Sequence, residues 1–169
     1  AACSSSQGSS NNSDVKELKF GIVSMESQAN QKPAWEPFIK EMEKQVGVAI
    51  KPYYVTQYSG VIEAMATGDV QLAWYGGKSY IEAAKRSNAE VFAQTINHDG
   101  TTGYTSHLIV NKNNPIATQA KALGKNKGDE YVIKNAKNLS FAFNDPNSTS
   151  GFLVPSYYIF TQNQVNPKK

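Results

Sequence analysis

Apolar and polar positions change rhythm repeatedly along the first half of the chain. Leu18-Lys19-Phe20-Gly21-Ile22-Val23 alternates and then runs apolar, the pattern of a strand buried at its end. From Ala34 to Val46, Trp35, Phe38, Ile39, Met42 and Val46 recur at helical spacing, with Lys40, Glu41, Glu43 and Lys44 on the other face. This predicts a helix with Pro33 and Pro37 near its first turn and Gly47 at its stop. Val48 to Val55 reads as a second strand. Ser59 to Thr67 reads as a short helix whose apolar face is Val61, Ile62, Met65 and Ala66, ended by Gly68. Val70 to Tyr75 is a third strand, closed by Gly76-Gly77, and Ser79 to Ser87 a third helix. Alternating strands and helices require crossover connections, so the expected class is α/β with a mostly parallel sheet. In such sheets ligands sit beyond the carboxyl ends of the strands. Those ends are Ser24 to Ser27, Thr56 to Ser59 and Tyr75 to Lys78, all polar, aromatic or Gly-rich.

The second half is less regular. Val91 to Thr95 and Ser106 to Val110 read as strands on either side of the turn-rich stretch from Asn97 to Gly103. Between Asn111 and Asn138, Lys, Asn and Gly dominate, which predicts an exposed excursion with at most one short helix, around Thr118 to Leu123. Leu139 to Phe143 reads as another strand and Asn144 to Asn147 as a turn. Ser148-Thr149-Ser150-Gly151 then opens a helix running towards Phe160, with Pro155 inside it removing one hydrogen bond.

At 169 residues the chain is about one ordinary domain, for which roughly 100–200 residues is usual. The 17 Lys and Arg against 14 Asp and Glu leave a net charge of +3, with no block of like charges, so nothing in the charge pattern points to nucleic acid. The longest apolar stretch, Phe152 to Phe160, is interrupted by Pro155 and Ser156 and falls short of the ~18 residues of a membrane span.

The single cysteine, Cys3, excludes an internal disulfide and a multi-cysteine metal site. It follows Ala1-Ala2 and precedes a run of Ser, Asn, Gln and Gly that cannot bury apolar area and reads as a flexible tether. Small residues before a cysteine and a polar spacer after it resemble the cleavage end of a bacterial lipoprotein signal. On that reading Cys3 is the lipidated first residue of a mature, exported protein.

The strongest local chemical signal is Ser148-Thr149-Ser150. A helix start leaves backbone N–H groups unpaired and partly positive, and three adjacent hydroxyls add neutral donors, a combination suited to a tetrahedral oxyanion. Each hydroxyl could equally be a helix cap. Tyr58, Tyr75 and Tyr104 fall at or near strand ends and each offers a ring and a hydroxyl, for packing or for binding. Lys78, after Gly76-Gly77, could support an anion or simply be solvated. The P-loop pattern and the Gly-x-Ser-x-Gly elbow are both absent, and His98 and His107 lack metal-ligand spacing, so no metal or cofactor is expected.

Read together, Tyr58-Ser59-Gly60-Val61-Ile62-Glu63, Ala73-Trp74-Tyr75-Gly76-Gly77-Lys78, Phe92-Ala93-Gln94-Thr95, Gly103-Tyr104, Leu108 to Lys112 and Asp145-Pro146-Asn147-Ser148-Thr149-Ser150-Gly151-Phe152 resemble the phosphonate-binding proteins of ABC importers. The resemblance implies a periplasmic-binding-protein fold of type II, with two lobes that close over the ligand. It implies a tether at residues 1–15, a first lobe at 16–105, and at 106–169 the crossover and only the beginning of the second lobe. It further implies that Ser148, Thr149 and Ser150 grip the phosphorus oxygens and that Tyr58 and Tyr104 donate hydroxyl hydrogen bonds to the same group. The partners it implies are a small anionic phosphorus-containing ligand, a transporter permease, and the membrane through Cys3. The carboxylates and histidine that grip a ligand's organic end in this family are expected beyond Lys169.

Two other functions fit the same residues. A phosphate-ester hydrolase or transferase would use a hydroxyl of Ser148 to Ser150 as nucleophile, with His98 or His107 as base. A carboxylate or amino-acid receptor would use the same fold for a different ligand.

Overall fold

The structure, a computed structural model, describes residues 15–23 and 28–166. Cys3 and the first strand end, Ser24 to Ser27, lie outside them. The central strand β1 (Glu17–Val23) pairs in parallel with β2 (Ala49–Val55) on one side and β3 (Leu72–Ala73) on the other. The parallel sheet predicted from the alternation of elements is therefore present, in the order β2-β1-β3. Pro52 is tolerated in β2 because that strand is an edge.

The pleat of β1 divides the core. Phe20 and Ile22 point to one face, where they pack with Ile50 and with Trp35, Ile39 and Met42 of helix α1 (Gln28–Val46). Gly21 points to the other face, where α2 (Tyr58–Ala66) and α3 (Gly77–Ser87) bury Val61, Ile62, Ala64 and Ala83. Helix α1 begins six residues before the expected Ala34, so Pro33 and Pro37 lie in its interior. Both are exposed, on the side where water can take the carbonyls that their missing N–H groups leave free. The third strand is shorter than the expected Val70 to Tyr75. It is bracketed by Gln71 N–H to Lys19 O and Trp74 N–H to Gly21 O, after which Tyr75 turns inward to α2.

The second half departs further from expectation. Val91 to Thr95 and Ser106 to Val110 are not strands, and Leu139 to Phe143 forms no more than an isolated bridge at Ser140. Phe92 is 82% exposed and Ile109 94%. A short apolar run qualifies a segment for a sheet, but pairing requires a neighbour to take its N–H and C=O groups. The polar stretch after Asn111 carries two helices where at most one was expected, α4 (Pro115–Ala122) and α5 (Gly128–Asn135), followed by a 3-10 turn (Ala136–Asn138). Asn114 starts α4 by accepting the Ile116 N–H at 3.0 Å, with Pro115 in the first turn. Nor is that stretch simply an excursion. Val132, Ile133 and Ala136 pack with Phe141, Phe143, Ile159, Phe160 and Val165 in a second, smaller core.

The helix expected from Ser148 runs from Thr149 to Thr161, with two wide π-wound turns (Thr149–Leu153 and Ser156–Thr161). Pro155 explains how its start is anchored. A residue with an N–H there would bond to the carbonyl of Gly151, or of Ser150 in a π turn. Both carbonyls are used elsewhere: Gly151 O accepts from Asn144 N–H and Ser150 O accepts from the Ser106 hydroxyl, each at 2.9 Å.

Candidate functional site

The turn that carries the three hydroxyls is held from within. Asn147 N–H reaches Asp145 Oδ1 and Ser148 N–H reaches Asp145 O, each at 2.8 Å. Ser148 is 4% exposed, and its Oγ accepts the Gly151 N–H at 3.1 Å, so this hydroxyl caps the helix. Gly151 is required at its place, because a Cβ there would lie 2.4 Å from Asn144 Cβ.

Thr149 is engaged differently. Its Oγ1 accepts the backbone N–H of Lys78 at 2.9 Å, in the first turn of α3. One residue further along α3, the fully buried Ser79 donates its hydroxyl to Asn147 O at 2.8 Å. The predicted oxyanion turn and the end of β3 therefore meet, although some seventy residues separate them in sequence. This contact was not legible in the sequence: Gly76-Gly77 marks a strand end, but nothing marks Ser79 as a partner of Asn147.

The other candidate residues differ in their surroundings. The Lys78 ammonium is paired with Glu82 at 2.6 Å, and that lysine, with Lys85 behind it, holds the Glu82 carboxyl below its ordinary value. Tyr75 donates its hydroxyl to Val61 O at 3.2 Å, and burial pushes its pKa up to about 12, so it is a packing residue. Tyr58 is half-buried at the first residue of α2. Among the described residues no hydrogen bond ties it to Ser148, Thr149 or Ser150. Tyr104 is 72% exposed, in a segment tethered to the site by the bond from Ser106 to Ser150 O. His98 lies in an exposed turn. His107 is exposed, within 3.2 Å of Thr105 Oγ1, and lines a cavity with Val154, Pro155 and Tyr158.

This chain, with its Ser-Thr-Ser helix start set against a Gly-Gly strand end, matches a known family over nearly its whole length. The family model for periplasmic substrate-binding proteins of phosphonate ABC transporters matches residues 20–169. The chain belongs to this family. A phosphonate-binding periplasmic protein of Escherichia coli is 47% identical over 151 residues, which are 89% of this chain and 42% of that protein. A probable ABC transporter phosphite-binding protein of Prochlorococcus marinus is 33% identical over 87% of this chain and 46% of its own length. Among solved structures, the binding component of a Pseudomonas aeruginosa phosphonate transporter superposes with a TM-score of 0.75 at 43% identity, over 90% of this chain and 47% of that one. A second, from Prochlorococcus marinus in complex with methylphosphonate, gives 0.61 at 29% identity, over 89% and 52%.

The chain thus spans about half the length of the relatives it matches. Its fold is that of the periplasmic phosphonate-binding proteins. The family consists of transporter components that bind substrate rather than enzymes, which removes the nucleophile reading of Ser148 to Ser150.

Proposed function

We propose that this chain belongs to an exported receptor that captures a phosphonate, or phosphite or phosphate, and delivers it to an ABC-transporter permease. The observation that carries the reading is the hydroxyl turn Ser148 to Ser150, built on a helix start and braced against the start of α3. Neutral donors suit a receptor: they satisfy the oxygens of a dianion without an arginine clamp, and release it when the site opens. Thr149 and Ser150 offer hydroxyl and backbone donors, and Ser148 keeps its own proton while capping. Tyr58 and Tyr104 complete the oxygen shell, by analogy with the family. The exposure of Tyr104 and its tether at Ser106 support its part in this.

In the same reading, residues 16–105 form the first lobe and 106–169 the crossover and beginning of the second. Residues 1–15 are a tether anchored by a lipid on Cys3. Loss of the intact protein from the membrane fraction on Cys3→Ala is the check on that anchor.

The deciding experiment is isothermal titration of methylphosphonate, 2-aminoethylphosphonate, phosphite and phosphate into the intact protein that carries this chain. Saturable binding of at least one of the four is expected. A folded protein that gives no heat with any of them, yet binds an amino acid, would transfer the site to carboxylates.

A further inference from the structure

We propose that the start of α3 is the seat of the hydroxyl turn, and that Gly76 is a positioning residue that acts on the ligand through Thr149. The inference rests on the phosphorus-oxyanion reading above and adds to it a residue that touches no ligand. Gly76 is the N-cap of α3 and supplies no side-chain cap of its own. The N–H of Lys78 is satisfied instead by Thr149 Oγ1, and the next residue, Ser79, fixes Asn147 through its buried hydroxyl. Two consecutive residues of one helix thus grip two residues of the turn that flank Ser148. A Cβ placed on Gly76 would stand 3.1 Å from Thr149 Oγ1 and 3.9 Å from its Cβ, closer to the oxygen than side chains ordinarily pack. Only glycine lets the turn seat without displacement.

The seat has a chemical consequence. A hydroxyl that accepts a hydrogen bond has its own proton turned away from that donor and becomes a stronger donor in turn. The donor here is an N–H in the first turn of an 11-residue helix, where the helix dipole leaves partial positive charge. Thr149 therefore relays the field of α3 to whatever oxygen it meets, without a formal charge in the site.

The test is a double-mutant cycle in the intact protein, with methylphosphonate titrated into the parent, Gly76→Ala, Thr149→Ala and the double variant. Gly76→Ala is expected to weaken binding about fivefold or more in the parent, and less than about twofold once Thr149 is already alanine. Equal losses in both backgrounds, or no loss in Gly76→Ala, would overturn the proposal. An independent readout needs no ligand: exchange of the Lys78 amide hydrogen. It should accelerate in Thr149→Val, which keeps the shape but removes the acceptor, and stay slow in Thr149→Ser. Indifference of that amide to Thr149→Val would also overturn the seat. If the parent binds none of the phosphorus ligands, the functional reading fails, and the seat is then judged on the amide alone.

Discussion

The sheet unit between Glu17 and Ser87 and the region after it both carry apolar residues in regular patterns, yet they use them in opposite ways. In the first, Ile22, Ile50, Val61, Ile62 and Val70 are almost wholly withdrawn from water. In the second, Val91, Phe92, Ile96 and Ile109 stand mostly in it, and among the described residues the buried apolar side chains are Ala117 and the Ala136, Ile159 and Phe160 cluster. The difference lies in partners. β1 finds β2 and β3 within the same unit, and the helices between them cover both faces. The segments 91–95 and 106–110 have short apolar runs suited to strands but no strand paired with them among the described residues. A hydrophobic pattern is a capacity for burial, realised only where the rest of the fold supplies the other surface.

The sharpest way to break this comparison is one substitution in each region. Ile22→Ala removes a side chain that is 1% exposed between α1 and the sheet, and should cost about 2–5 kcal/mol of unfolding free energy, as buried truncations do. Ile109→Ala, at a residue 94% exposed, should stay within about 0.5 kcal/mol. Urea unfolding of both variants of the 169-residue chain is the measurement. Equal destabilisation would mean that the strip around Ile109 is packed in solution.

The same contrast explains what could be read in advance. The parallel sheet was legible because each of its elements declares itself locally: the alternation in Leu18 to Val23, the helical spacing of Trp35, Phe38, Ile39 and Met42, and the glycine stops. Ser148 to Ser150 were legible as a helix start for the same reason. Three features were not. Helix α5 was hidden because its apolar residues, Tyr131, Val132 and Ile133, are adjacent rather than helically spaced and sit among lysines and asparagines. The exposed strips looked like strands because local sequence does not report whether a neighbour exists. The junction of Thr149 and Ser79 with residues some seventy positions away depends on the sheet having already placed α3, so no local pattern encodes it.

A second, smaller effect separates binding from stability inside the exposed region. Tyr104→Phe removes a hydroxyl from a residue that is 72% exposed, so the thermal midpoint should hardly move. If that hydroxyl donates to a charged phosphorus oxygen, methylphosphonate affinity should fall by about 1.5–3 kcal/mol. A large drop in midpoint with unchanged affinity would place Tyr104 in a packed interior and return the ligand role to the Ser148 to Ser150 turn alone.

The smallest expected effect concerns acid and falls on the ordered side of the comparison. Lys78, first by its hydrogen bond and then by its charge, holds the Glu82 carboxyl below the ordinary value of 4.5. A carboxyl whose folded value is depressed stabilises the folded state above its unfolded value and loses that contribution as the pH falls through the folded one. The pair's contribution to α3 is therefore full at neutral pH and fades below about pH 4.5. Glu82→Gln should lower the thermal midpoint slightly at pH 7 and leave it close to the parent's in acid, so the two curves of midpoint against pH should converge as the pH drops. Curves that stay parallel would mean that the pair, although short and only partly exposed, is as weak as an ordinary surface salt bridge. The start of α3 would then owe its order to Thr149 and Ser79 rather than to charge.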